Sequence, residues 1–173
     1  MVLPLLIACN KDSAFAPAEQ DALQFRADNG MERITLCSQQ EVPVRESQGL
    51  GKFDYRLNED GTLSYSLSAK KMNSNVTQSH IHLAGCGTNG GVVVFLFGPF
   101  FPDGVPADGL LAEGVITDAD LVGALAGQTV ADLYAHILDG SAYVNVHTTT
   151  IPSGEIRAQL GDKPCNCGVG NKS

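Results

Sequence analysis

The chain has no tryptophan, only three methionines, and only 17% charged residues in a length of 173. Lys and Arg number 11 against 19 Asp and Glu, a formal net charge of -8. Nucleic acid and anionic membrane surfaces both call for clustered cations, so this balance argues against either as a partner. The acids are dispersed along the chain, which suits solubility. No apolar run approaches the roughly 20 residues of a membrane-spanning helix. There is no G-x-S-x-G elbow, no P-loop and no dinucleotide fingerprint, so the commonest hydrolase and nucleotide signatures are missing. Paired C-x-x-C knuckles are missing too, which removes the usual structural zinc site.

What is present is a globular composition. Hydrophobic residues make up 43%, enough for one domain with a real core. The 19 glycines suit a turn-rich β protein. Met1 to Ala8 is apolar and runs into Leu6-Ile7-Ala8-Cys9, which resembles a bacterial lipobox, where the cysteine is lipidated after signal cleavage. Only eight residues precede Cys9 and none is basic, so either the true start lies upstream or the match is chance. The expectation is export, with a membrane contact only through such a lipid anchor. Residues 1–22 then form leader and tether, 23–161 the domain, and 162–173 a cysteine-containing tail. Cys37, Cys86, Cys165 and Cys167 read as disulfides in an exported chain. Cys165 and Cys167 are too close to pair easily with each other, so they reach back to Cys37 and Cys86, in a connectivity the spacing leaves open.

Strand signals begin at Leu23. Gly51 to Leu57 alternates with Phe53, Tyr55 and Leu57 on one face, and Leu63 to Leu67 alternates again after the turn Asn58-Glu59-Asp60-Gly61. These make a hairpin. Val76–Leu83 and Val92–Phe97 read as two more strands around the glycine-rich loop Gly85–Gly91, and Phe100–Gly109 as a loop. Thr117-Asp118-Ala119-Asp120 opens a short helix ending at Gly127. Thr129–Leu138 adds a turn or two, closed by Gly140. Ala142–Thr148 and Glu155–Leu160 are the last strands, joined at Pro152-Ser153-Gly154. The fold class is mostly β, an antiparallel sandwich or flattened Greek-key barrel with one or two short helices.

Several of these pieces, in this order, resemble the CHRD domain family, the module named after chordin. They are Phe25-Arg26-Ala27, Gln40-Glu41-Val42-Pro43, Leu57 to Tyr65, His80-Ile81-His82, Val92 to Phe95, Leu121 to Gly127, Tyr143 to Thr148, and Gly154 to Leu160. The resemblance implies an extracellular β-sandwich and little about activity. In chordin such domains lie beside growth-factor-binding modules. The chain departs from the pattern at Cys37 and Cys86, where the family often has small residues, in the inserted stretch Thr129–Gly140, and in the tail cysteines.

The four histidines are His80, His82, His136 and His147. His80 and His82, two apart on a strand, share a face, with Ile81 and Leu83 on the core side. His147 shares parity with Tyr143 and Asn145. If the two strands are neighbours, three imidazoles converge, which suits copper or zinc. His-x-His with a distant His on a β scaffold is similar to part of the copper site of copper/zinc superoxide dismutases. That resemblance implies one copper ion on His80, His82 and His147, with Cys86 paired to Cys165 or Cys167 and Cys37 taking the other tail cysteine. The loop Leu83–Gly91 holds no histidine or aspartate, so the zinc half-site has no candidate, and a fourth ligand would be His136, water or nothing. Asn145 or a backbone carbonyl is expected to orient a ligand ring, and Arg157 to steer a small anion or to pair with Glu155 or another surface acid. Three imidazoles leave a position for water or an oxidant, which redox turnover needs.

Two classes stay open. One is a copper protein, with or without redox activity. The other is a structural or interaction module in which the histidines hold two strands together and the Phe100-Phe101 loop contacts a protein partner or another copy. Asp118 and Asp120 are read as helix caps rather than catalytic carboxylates.

Overall fold

The alternation at Phe53, Tyr55 and Leu57 builds the hairpin it implies, and the apolar side of that hairpin becomes the wall of the core. A computed structural model describes residues 30–162 and Cys165. The strand signals from Leu23 to Asn29, the leader with Cys9, and Cys167 lie outside the described residues. Among the described residues eight strands are formed: β1 (Glu32–Cys37), β2 (Leu50–Leu57), β3 (Leu63–Lys70), β4 (Val76–Leu83), β5 (Gly91–Phe97), β6 (Gly109–Ile116), β7 (Ala142–Thr148) and β8 (Ile156–Gln159). All ladders are antiparallel, in the order β5-β4-β7-β8-β1-β2-β3-β6. The sheet curls until its two ends approach. Tyr65 on β3 donates its hydroxyl to Leu96 O of β5 at 2.8 Å, and Val122 N–H donates to Val93 O at 2.9 Å. This is the expected flattened barrel.

Inside it, Leu36, Phe53, Leu67, Ile81, Val144, Val146 and Ile156 are fully buried. Each such side chain contributes about 1.5–3 kcal/mol by leaving water. The register explains the density. Gly51 faces Leu36 across β1 and β2, and a Cβ there would lie 3.0 Å from Ile156 Cδ1 and 3.2 Å from Leu36 Cβ.

Two local expectations need correction. The stretch Thr117–Gly127 is not an α-helix but two 3-10 turns, Asp118–Asp120 and Gly123–Leu125. Thr117 does cap, with its N–H and hydroxyl both donating to Asp120 Oδ2, but Gly123 turns the chain away with φ +59°. The α-helix, α1, is Val130–Asp139, where only a turn or two is expected from sequence. Thr129 and Asp132 form a reciprocal capping box, Val130, Leu133 and Ile137 bury one stripe, and Gly140 ends it in the left-handed region. Strand β6 has no counterpart in the sequence reading. It lies at the sheet's edge with Leu110 64% and Val115 55% exposed, so its apolar residues do not mark an inward face.

Strand β7 is buried along its whole length, on both faces. Its inner face is Val144 and Val146. Its outer face is polar and is roofed by three loops: 38–47, 84–90 and 149–154. Asn89 Nδ2 donates to Val42 O at 2.8 Å, and Arg45 donates to Ser153 Oγ at 2.6 Å, so the loops brace one another.

Candidate metal centre

The register between β4 and β7 sets His80 opposite Asn145, His82 opposite Tyr143, and Gln78 opposite His147. Parity then brings His80, His82 and His147 to the same outer face, as the strand pattern implies. One ligating nitrogen from each lies within 4.8 Å of the others. What the pattern does not convey is burial: the three rings are only 4%, 7% and 7% exposed because the loops cover them.

Hydrogen bonds decide which nitrogen of each ring is available. A carbonyl oxygen only accepts, so His82 Nδ1–H donates to Gly90 O at 3.0 Å and His147 Nδ1–H donates to Pro152 O at 2.8 Å. Each ring, when neutral, therefore presents an Nε2 lone pair to the cluster. His80 Nδ1 stands 3.2 Å from His147 Nε2 and donates to it, which leaves His80 Nε2 buried without a hydrogen-bond partner. Two nitrogens on one metal at about 2.0–2.1 Å are separated by roughly this distance, and a metal there would displace that proton, His80 then carrying its hydrogen on Nε2. The backbone carbonyls thus do what outer partners of ligating imidazoles do, fixing tautomer and ring direction.

The electrostatics favour neutral rings. Burial pushes His80 down to about 3, helped by His147 and His82. Burial also pushes His147 down to about 4, against the raising effect of the Pro152 carbonyl. His82 is lowered, again first by burial. Neutral imidazole is the form that ligates a metal.

Gly90 is needed for this arrangement, since a Cβ there would collide with the Leu83 carbonyl. Its N–H donates to the Tyr143 hydroxyl at 3.2 Å while its carbonyl holds His82, so a glycine-rich loop that cradles no phosphate anchors a histidine instead.

Arg157 sits beneath the site. Its guanidinium lies 3.4 Å from the Tyr143 ring centre, and it donates to Gly85 O, Gln159 Oε1 and Asn89 Oδ1. It is fully buried, so the expected role in steering an anion from solvent is corrected: the aromatic ring and the 84–90 loop stand between it and water. Nor does it pair with Glu155, whose carboxylate accepts from Ser47 Oγ, Asn73 N–H and Thr148 Oγ1. Of the two groups expected to orient a ligand ring, the backbone carbonyls of Gly90 and Pro152 stand behind rings, and Asn145 does not. Its Oδ1 is 3.0 Å from His82 Nε2, the nitrogen turned toward the cluster, rather than behind a ring. His136 is not part of the cluster. It ends α1 with Nδ1 2.8 Å from Ser141 Oγ.

Cys86 and Cys165 form a disulfide with Cα atoms 5.9 Å apart, tying the 84–90 loop to the chain beyond β8. Cys37 is also disulfide-bonded, while its expected partner Cys167 lies outside the described residues. Glu41 is the residue that sequence reasoning missed. It is 4% exposed, its Oε1 has no hydrogen-bond partner, and burial raises it to about 7 despite the nearby Arg157, the Val42 N–H and Arg45. Only its place in Gln40-Glu41-Val42-Pro43 marked it. There Gln40 Oε1 accepts from Gln159 N–H, locking the loop onto β8.

Among families of known proteins, the CHRD domain model matches residues 33–160. No curated protein and no solved structure matches the chain significantly.

Proposed function

Because the chain belongs to the CHRD domain family, we propose that it acts as an exported metal-binding module whose three-histidine centre takes copper. The observation that carries this reading is the geometry of His80, His82 and His147, with ligand atoms within 4.8 Å and two rings fixed by backbone carbonyls. Imidazole nitrogens suit copper, nickel and zinc, and divalent copper stands at the top of the affinity order. Disulfide bonds support an oxidising compartment outside the cytosol. The reading is one of binding; redox turnover requires in addition a coordination position open to a small oxidant.

Titration of the purified chain with copper, with competition by nickel and zinc, tests this. One equivalent should bind with nitrogen coordination in the electron paramagnetic resonance spectrum. His82→Ala with His147→Ala should abolish it. Wild type binding copper no better than that double variant would end the proposal.

A second reading has its own support. In the metal-free protein His80 already donates to His147, backbone carbonyls hold His82 and His147, and Phe95 and Phe100 are 59% and 56% exposed. In this reading the histidines clamp β4 to β7 and the aromatic edge meets a protein partner or a second copy. Sedimentation of the metal-free chain over a range of concentrations, with Phe95→Ser and Phe100→Ser as controls, separates the two.

A further inference from the structure

The contact between His82 and Asn145 is the least expected in the site. With Nδ1–H committed to Gly90 O, a neutral His82 ring has a lone pair at Nε2. The atom 3.0 Å away is the amide oxygen of Asn145, which is also an acceptor. Two acceptors facing each other at that distance repel unless something positive lies between or beside them. The His147 Nε2 lone pair converges on the same cluster.

Gly154 and Glu41 lie behind the amide. Gly154 has no side chain, and a Cβ at that position would meet Asn145 Nδ2 at 2.9 Å and Glu41 Oε1 at 2.5 Å. The donor end of the amide and a buried carboxyl oxygen without a hydrogen-bond partner therefore flank the same spot. Asn145 itself is 3% exposed and lies opposite His80 in the ladder.

We propose that Asn145 is the fourth protein ligand of the histidine centre, its Oδ1 completing a three-nitrogen, one-oxygen set. This rests on the metal reading above and deepens it. Ligands at about 2.0–2.2 Å from one metal lie roughly 3 Å apart, as His82 Nε2 and Asn145 Oδ1 do. Four protein donors fill the equatorial positions of a tetragonal copper site and leave water only a weak axial place. The centre then favours storing, carrying or relaying the metal over binding a small oxidant in its equatorial plane.

The test uses the full-length, oxidised chain loaded with copper. Wild type, Asn145→Ala and Asn145→Asp are compared by competition affinity, by paramagnetic resonance, and by the spectral change on adding azide, which needs an exchangeable position. Asn145→Ala should weaken copper binding about 10- to 100-fold, the range typical of lost support at a metal site. It should also make the spectrum respond to azide at a lower concentration than wild type requires, because an equatorial position becomes exchangeable. Asn145→Asp, which keeps an oxygen donor, should retain tight binding and the wild-type azide response, and so separates ligand loss from misfolding. Copper binding in Asn145→Ala as tight as wild type or tighter, or an azide response in Asn145→Ala no stronger than in wild type, overturns the assignment while leaving the histidine site standing. Failure of wild type to bind copper above the double histidine variant removes both.

Discussion

His82 lies flat against Tyr143, with ring centroids 4.7 Å apart and planes 3° from parallel. Arg157 closes the sandwich from the opposite face of Tyr143. The pair joins neighbouring strands in register, so the ligand ring is held by a stack as well as by the Gly90 carbonyl. Removing the ring by Tyr143→Ala should cost about 3–5 kcal/mol in urea unfolding, the usual range for a buried aromatic. Tyr143→Phe, which loses only the bond from Gly90 N–H, should cost about 1 kcal/mol and leave copper binding intact. Equal losses for the two variants would show that the stack contributes nothing.

The buried imidazoles make the metal-free protein acid-sensitive. His80 and His147 titrate at about 3 and about 4 when folded, against 6.5 in a free side chain. Their folded values are depressed, so below pH 6.5 the unfolded chain takes up protons that the native state refuses. Stability therefore falls as pH drops from about 6.5 toward 3 and is unaffected by these groups above that window. Each ring accounts for on the order of 3–5 kcal/mol when the effect is fully developed. Urea midpoints at pH 7.5 and 5 should differ strongly for wild type and much less for His80→Ala with His147→Ala.

Glu41 acts with the opposite sign. Its folded value is raised from 4.5 to about 7, first by burial, with Arg157, the Val42 N–H and Arg45 opposing. The native state holds a proton that the unfolded chain has released, so stability falls as pH rises from about 4.5 through 7. Glu41→Gln removes the buried charge and should stabilise the metal-free chain at pH 8 by up to about 3 kcal/mol, with little change at pH 5. Denaturation curves at the two pH values check this, and a variant less stable at pH 8 would show that the carboxylate is paired more strongly than its surroundings indicate.

The Cys86–Cys165 bond spans 79 residues, and in the chain-entropy model a loop of that length is constrained by about 4–5 kcal/mol. Cys86→Ala with Cys165→Ala should lose stability on that scale. It should also loosen the 84–90 loop, whose Gly85 carbonyl accepts from Arg157 and whose Gly90 carbonyl orients His82. Copper affinity should fall with it. A melting temperature unchanged by the double replacement is the result that would refute this.

Much of the fold is local chemistry. Period-two alternation placed β2, β3, β4, β5 and β7 within a residue or so at most boundaries, because those strands each have one apolar face and defined turns. It failed at β6, an edge strand whose Leu110 and Val115 face water, and it misjudged which of two capped segments becomes the α-helix. Thr117 and Thr129 carry the same cap. The difference is that Gly123 interrupts one stretch, while the other has Val130, Leu133 and Ile137 to bury against the sheet.

For the site, the sequence by itself determined that His80 and His82 share a face, since side chains two apart on a strand must, while the pairing of β4 with β7 decided that His147 joins them. It also carried the cysteine count and the family's segments in order. Only the tertiary structure decided that the outer face is roofed, because loops 38–47, 84–90 and 149–154 come together from residues distant in the chain. Burial of Arg157 under Tyr143, the turn of Asn145 toward His82, and the approach of Glu41 to Gly154 all follow from that roof. No periodicity encodes them, since each depends on which backbone carbonyl or side chain a loop brings within hydrogen-bonding reach.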